Sequence, residues 1–387
     1  MAIAAVVGHS QGLDAREVGS KAALNAISKA NRRPVALGIV MVADSFPFTQ
    51  VISGVKAILG DAPLIGLTTS GQFTSSGIHQ RSVVIALLVG SEISVQADWW
   101  PDFGADSESV AQKMVSEFHQ EFQDSTILAI ADGSQGDAQE LCQSLPQGSF
   151  SFSGCLSGGD LKQTRTFQVG GQQLGNGGLA VASLKGNITS EVGLDTGWQD
   201  VGAYFTVTRT RGPWIQMLDE QPVADAYARW LGYEPKDWSN PPLNRLVRLY
   251  PLGIEQVTGS ALVIRSPLHM ENDGSLRMHT NVPVGSVVHL MAGSLETCLS
   301  AAQKAVEGAL KSLGKAYPVL ALVFPDIAWQ FLFETRPGAE VSAIRKVLGD
   351  NIPIAGGYVL GQLAKEKGSF QFYNQQIQII LLAELSS

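Results

Sequence analysis

The sequence predicts an α/β protein, with mixed sheets built from repeated β-α-β-α-β-β modules and divided into two domains. The first of three observations behind this is a motif written three times: Pro63-Leu-Ile-Gly66-Leu-Thr-Thr-Ser-Gly71-Gln72, Ser151-Phe-Ser-Gly154-Cys-Leu-Ser-Gly-Gly159-Asp160 and Pro353-Ile-Ala-Gly356-Gly-Tyr-Val-Leu-Gly361-Gln362. Each copy is a short apolar strand entering a glycine, with a second glycine five positions on and an amide or carboxylate after it. Threefold recurrence at fixed spacing marks duplication. The second observation is that apolar runs of strand length alternate with stretches of helical period. The third is composition: 45% of the 387 residues are apolar and 16% charged, enough for a large core, and the 41 glycines fall among apolar runs, as tight turns require.

The elements follow in chain order. Ile3–Gly8 reads as a strand buried on both faces, and Asp14-Ala-Arg-Glu17 as a capping box opening a helix to Asn31. Val35–Val42 is a second strand, a helical stretch runs to Leu59, the first glycine loop follows, and Ser82–Val89 closes the module. Ile93–Trp99 restarts the pattern. Val110, Met114, Phe118 and Phe122 form one stripe of a helix over 107–122. Thr126–Ala131, a short helix over 137–145, the second loop, a hairpin at Gly170-Gly171 and the strand Leu179–Leu184 complete the second module. The third is expected from a strand at Val287–Met291, a helix capped by Ser294 and ended by Gly314, a strand at Pro318–Phe324, a helix at Glu340–Leu348, the third loop and a strand at Ile377–Leu382. Between them, residues 191–285 read differently. Glu191–Trp198 echoes Glu92–Trp99 as an abortive fourth start, a helix spans 222–231, and short strands are expected at Leu246–Tyr250, Ala261–Arg265 and Ser275–Thr280.

Composition also excludes. A net charge of −8 without a Lys/Arg cluster argues against nucleic acid or an anionic membrane surface. The three cysteines, Cys142, Cys155 and Cys298, have no metal or disulfide spacing and suit a reducing cytoplasm. The N-terminus lacks a basic n-region, and no apolar run reaches the roughly 20 residues of a membrane span. The loops lack the Lys-Ser/Thr of a phosphate-binding loop, the serine of Gly154-Cys-Leu-Ser-Gly158 sits one place late for a nucleophile elbow, and no base is nominated for Cys155 or Ser157. No catalytic residue emerges.

Two constellations could bind something. Loops at the C-terminal ends of buried strands are where open α/β sheets bind ligands, and Thr68, Thr69, Ser70, Ser157 and Tyr358 add hydroxyls there; close packing of the repeated glycines is the alternative. His269, His279 and His289 recur every ten residues across two expected hairpins. Centred turns would set them opposite one another as a row able to ligate a metal or haem iron, unless they are a half-exposed polar row. Trp198, Trp214, Trp230 and Trp238 suit a core or an aromatic pocket wall.

The order of short motifs resembles the FIST family, named for F-box and intracellular signal transduction proteins. The first half carries Ala62-Pro-Leu-Ile-Gly66, Ser70-Gly71, Ala131-Asp-Gly133, Gly154, Gly158-Gly-Asp160 and Arg165-Thr-Phe167. The second carries Leu218-Asp219, Pro222-Val-Ala224, Tyr227, Arg265-Ser-Pro267, Asp273-Gly-Ser-Leu276, Val282-Pro-Val-Gly-Ser286, Pro353-Ile-Ala-Gly356, Gly361 and Phe372-Tyr-Asn-Gln375. The resemblance implies a FIST N-terminal domain over 1–195 and a C-terminal domain over 196–387, forming a cytoplasmic sensory protein that binds a small, amino acid-like ligand. Some relatives bind haem as nitric-oxide sensors, and others are fused to kinases. This chain carries no such output segment, so signalling to a separate partner, such as a kinase, is expected. It departs from the family pattern where a histidine is usual and Tyr373 stands.

The expected ligand-binding residues are Thr68, Ser70, Gly71, Ser157, Gly159, Asp160, Arg165, Arg265, Tyr358, Gly361 and Asn374. Backbone amides with Arg165 or Arg265 would meet a carboxylate, and Asp160 an amine. The alternatives are a haem-binding gas sensor using His269, His279 or His289, and a ligand-free interaction scaffold. Oligomeric state is not legible.

Overall fold

The computed structural model describes residues 2–159, 165–256, 262–366 and 368–385. The first module contains β1 (Ala4–Gln11), α1 (Ala15–Ile27), β2 (Val35–Ala43), α2 (Phe48–Leu59), β3 (Leu64–Thr69), β4 (Gln72–Thr74), β5 (Gly77–His79) and β6 (Ser82–Val89). Helix α1 starts where the Asp14 carboxylate accepts the Glu17 amide at 2.7 Å, a cap worth about 1 kcal/mol. The second module repeats the order: β7 (Ile93–Trp100), α3 (Ser107–Glu117), β8 (Thr126–Ala131), α4 (Ala138–Ser144), β9 (Ser151–Leu156), β10 (Phe167–Gly170), β11 (Gln173–Asn176) and β12 (Leu179–Gly186). The stripe expected on one long helix is shared between α3 and a 3₁₀ turn at His119–Phe122, and all four of its residues are buried.

The third module begins earlier than its sequence suggests. Its first strand is β13 (Ile188–Thr196), the supposed abortive start. A different region follows: β14 (Trp198–Arg211), β15 (Trp214–Leu218), β16 (Gln221–Pro222), α5 (Val223–Leu231), α6 (Pro235–Trp238), α7 (Leu243–Leu246), β17 (Leu252–Ile254), β18 (Val263–Arg265), β19 (Pro267–Met270), β20 (Leu276–Met278) and β21 (Val287–Gly293). The module resumes with α8 (Leu295–Leu313), β22 (Tyr317–Pro325), α9 (Ile327–Leu332), α10 (Ala339–Leu348), β23 (Ile354–Gly357), β24 (Gly361–Glu366), β25 (Ser369–Tyr373) and β26 (Gln376–Glu384). The strand at Val287–Met291, expected to open this module, is β21 and belongs to the inserted region's sheet. The strand expected at 246–250 is helical instead, α7 continuing into a 3₁₀ turn at Val247–Leu249.

Packing divides the chain into two compact units: residues 1–195, 299–372 and 376–387, and residues 196–298 with 373–375. The third module therefore packs with the first two, where the sequence placed it in a C-terminal domain of 196–387.

The first unit holds three six-stranded sheets of one design, ordered β1-β6-β2-β3-β10-β11, β7-β12-β8-β9-β24-β25 and β13-β26-β22-β23-β4-β5. In each, the module's own four strands include one parallel pair: β2 with β3, β8 with β9, β22 with β23. The last two strands are a hairpin lent by another module. Each glycine loop thus carries the chain out of its own sheet and into the next: β4–β5 into the third, β10–β11 into the first, β24–β25 into the second. The exchange closes on itself and covers the edge that β3, β9 or β23 would otherwise expose.

Strand residues alternate between two cores. On β6, Val84, Ala86 and Leu88 face a core that all three sheets share, while Val83, Ile85, Leu87 and Val89 face α1 and α2. That double burial is why these strands read as unbroken apolar runs. The second unit's sheet is ordered β18-β17-β21-β14-β15-β20-β19, with β16 on β15. Its core gathers Phe205, Ile215, Tyr227, Trp238, Met270 and Leu290.

Candidate functional site

The glycine loops are shaped by close approach. None of Gly66, Gly71, Gly154, Gly159 or Gly356 has a positive φ, so conformational freedom is not why glycine stands there. A Cβ on Gly66, Gly154 or Gly356 would lie 2.6, 1.9 and 1.9 Å from the carbonyl oxygen of Val40, Ala129 or Val323. Those are the register partners on the parallel neighbour strand.

Just beyond, the loops bind one another in a ring. The Ser70 amide donates to the Tyr358 carbonyl (3.3 Å), Gly158 to Thr68 (2.8 Å) and Leu360 to Leu156 (3.2 Å). These are equivalent positions in the three copies, so the convergence is threefold.

The ring stands beside three aspartates that sequence reading passed over as a set. Asp44, Asp132 and Asp326 end Val42-Ala-Asp44, Ile130-Ala-Asp132 and Phe324-Pro-Asp326, each the first residue past the end of β2, β8 or β22. An acid closing the second strand of every module was the available signal. The three have diverged. Asp132 is 2% exposed and fully engaged. Its Oδ1 accepts from the amides of Ser134 and Gln135 and the Ser134 hydroxyl; its Oδ2 accepts from the Thr166 hydroxyl, the Gln168 side chain and the Gly177 amide, all within 3.2 Å. Asp326 is buried and caps α9 through the Ala328 amide at 2.9 Å. Asp44 is half-buried, and a Cβ on Gly159 would meet its carboxylate at 3.3 Å.

Of the expected binding residues, Thr68, Ser70, Gly71, Ser157, Gly159, Tyr358 and Gly361 lie in the loops of the first unit, and Arg165 is exposed beside them in sequence, one residue before Thr166. Asp160 lies outside the described residues. Arg265 and Asn374 belong to the second unit. Several hydroxyls are committed to the fold. Thr68 Oγ1 accepts from the Phe167 amide at 3.1 Å. Ser157 Oγ donates to the Ala131 carbonyl (2.8 Å) and accepts from Gln168 (2.6 Å). Ser70, half-buried, donates to Gln330 Oε1 at 2.5 Å. Arg265 donates to the Ile264 carbonyl (3.3 Å), and Asn374 Oδ1 accepts from the Ser266 amide (3.3 Å). The residues after the second glycines are braces: Gln72 Oε1 takes the Ser82 amide and hydroxyl, and Gln362 donates to the carbonyls of Phe324 and Gln376. Cys155 is wholly buried, and burial pushes its thiol far up, away from the reactive thiolate.

Tyr358 donates its hydroxyl to Glu340 Oε1, and both side chains are fully buried. Burial raises the Glu340 pKa above its usual 4.5, and the Tyr358 hydrogen bond opposes that rise. A raised carboxyl contributes stability that is full below 4.5 and is lost as pH climbs through the folded-state value. Tyr358→Phe removes the donor that favours the ionised form and so extends the loss. We expect it to cost about 1–3 kcal/mol, with the gap from wild type larger at pH 8 than at pH 5 in urea unfolding. A gap independent of pH would contradict this.

The expected row of three histidines does not form. Strands β14 and β15 lie between β21 and β20 in the sheet, so the turn at 283–285 joins strands that are not neighbours. His269 stands opposite Arg277, and His289 opposite Tyr204 and Gly253. His279 Nδ1 meets Asn374 Nδ2 at 3.2 Å. His289 is clamped by Asp200 (2.8 Å) and Glu255 (2.9 Å). Burial lowers its pKa, but the two carboxylates outweigh burial and hold it above 6.5. Among the described residues, no group of three or more His, Cys, Asp or Glu is placed to hold a metal ion.

This threefold α/β unit with an inserted second sheet is matched by two family descriptions in tandem, the FIST N domain over residues 36–221 and the FIST C domain over 224–365. The chain belongs to the FIST family, whose domains are sensory domains of signal-transduction proteins. No curated protein matches it. Among solved structures, cyanuric acid hydrolase from A. caulinodans aligns at 8% identity over 99% of this chain and 100% of that one, with a TM-score of 0.36. Phosphoribosylformylglycinamidine synthase II from Thermotoga maritima aligns at 10% identity over 99% of this chain and 72% of that one, with a TM-score of 0.25. No helix among the described residues is long and apolar enough to cross a membrane.

Proposed function

We propose that this protein is a sensor that binds a small, amino acid-like metabolite at the glycine loops of its first unit and reports occupancy to a separate signalling protein. The observation that carries the reading is the divergence of the three strand-end aspartates. Asp132 and Asp326 are buried, whereas Asp44 stays half-buried beside the close approach of Gly159. A carboxylate at the C-terminal end of a parallel strand suits a ligand amine. The exposed Arg165 supplies a cation for the ligand's carboxylate.

Calorimetry against the common amino acids and their close metabolites tests the reading. At least one is expected to bind and to raise the melting temperature. Asp44→Asn should weaken that ligand about tenfold or more, a loss of about 1.4 kcal/mol. A panel without a binder, or full affinity in the variant, overturns it.

A further inference from the structure

One cross-strand row in the second unit has no role in its core. Arg211 on β14 is paired with Trp214 on β15, Trp214 with Arg277 on β20, and Arg277 with His269 on β19. Residues directly opposite in antiparallel pairs share a face, so Arg211, Trp214, Arg277 and His269 line up across four strands on one side of the sheet. The next positions on β15 and β20, Ile215 and Leu276, are buried in the core on the other side.

The row is held in place. Both guanidinium carbons lie over the Trp214 ring, at 5.5 Å for Arg211 and 5.4 Å for Arg277, within cation–π range. The indole is fixed in turn by its N–H, which donates to Glu271 Oε1 at 3.0 Å. Both arginines are exposed, and neither takes part in an ion pair among the described residues. Arg245 and Arg248 add positive charge near His269 and, after burial, help keep its pKa low against the pull of Glu271. Such a cationic, aromatic strip is out of keeping with a chain of net charge −8.

We propose that the row Arg211–Trp214–Arg277–His269 is the docking surface for an acidic peptide segment of a partner protein. This rests on the reading that the chain reports to a separate protein, and it supplies the chemistry of that partner. The spacing favours a peptide over a single small anion. The two arginines start from strands on either side of β15, about 10 Å apart at the backbone, and acidic residues two or three apart on an extended segment can meet one each. Stacked guanidinium groups are pre-ordered for bidentate carboxylate contacts. Glu271 and Asp273 beside the row disfavour the unbroken charge of a nucleic acid.

The test is fluorescence anisotropy, on the full chain, of a labelled ten-residue peptide with glutamate at every third position and glycine or serine between. Binding is expected at low salt, weakening as salt rises. Arg211→Ala with Arg277→Ala should weaken it about tenfold or more, while Arg229→Ala with Lys236→Ala, which removes the same charge elsewhere in the unit, leaves it unchanged. Equal loss in the two double variants would mean unspecific attraction and overturn the proposal. So would full competition by free glutamate, by inorganic phosphate or by a single-stranded oligonucleotide at matched charge. Asp44→Asn should leave peptide binding intact, so failure at the loops and failure at this row are separable.

Discussion

Gly154→Ala and Gly356→Ala will each destabilise the protein by about 3 kcal/mol or more, read as a lowered urea midpoint at unchanged slope. The added methyl would sit 1.9 Å from the carbonyl oxygen of Ala129 or Val323, and the obstacle is backbone in the middle of a parallel pair. Neither strand can retreat, because each is buried on both faces. Gly66→Ala meets the corresponding carbonyl of Val40 at 2.6 Å and should cost less. Gly308, inside α8, meets nothing within 4 Å, and its change to alanine should stabilise by up to about 1 kcal/mol. That ordering, with one change of sign, separates close approach from glycine flexibility. Equal losses at all four positions would contradict it.

Asp132→Ala will be comparably damaging, at about 3–5 kcal/mol, since it strips the acceptor from three donors on each carboxylate oxygen. Asp132→Asn should recover little of the loss. Whichever way the amide turns, its NH₂ faces backbone N–H groups, those of Ser134 and Gln135 or that of Gly177, and donor meets donor. Chemical denaturation of the two variants checks this; an asparagine variant as stable as wild type would show that the site needs shape and not charge. Set against Asp44→Asn, the result separates two of the three related acids. Asp132 holds hairpin, loop and strand together, whereas Asp44 is the acid proposed to meet the ligand.

Much of the fold could be read from residues alone. The double-faced apolar runs at 35–42 and 82–89 marked their strands because burial on both sides leaves no polar alternation to hide them. Asp14, Ser294, Gly232 and Gly314 marked helix ends because capping is chemistry local to a few residues. The region at 246–250 misled because its apolar residues suit a strand by propensity, while packing in the second unit favours one helical turn. The histidine row failed for a non-local reason, since the expected hairpin is split by two strands that come some seventy residues earlier in the chain. Of the expected binding residues, the sequence located a region more than a set of available groups. The loops converge, but hydroxyls such as Thr68 and Ser157 turned out to be consumed by neighbours that no spacing reveals.

The sequence by itself determined the α/β class, the threefold recurrence, the position of each first glycine and the FIST resemblance, all of which rest on composition or on contacts within one module. Only the tertiary structure decided that β13 (Ile188–Thr196) begins the third module, that each glycine loop hands its hairpin to another sheet, and that Asp44, Asp132 and Asp326 are counterparts with different surroundings. These depend on which strands become neighbours, and neighbour choice is set by burial of the shared core across hundreds of residues. A glycine's need for space is written in its own motif, but the carbonyl that fills the space belongs to another strand.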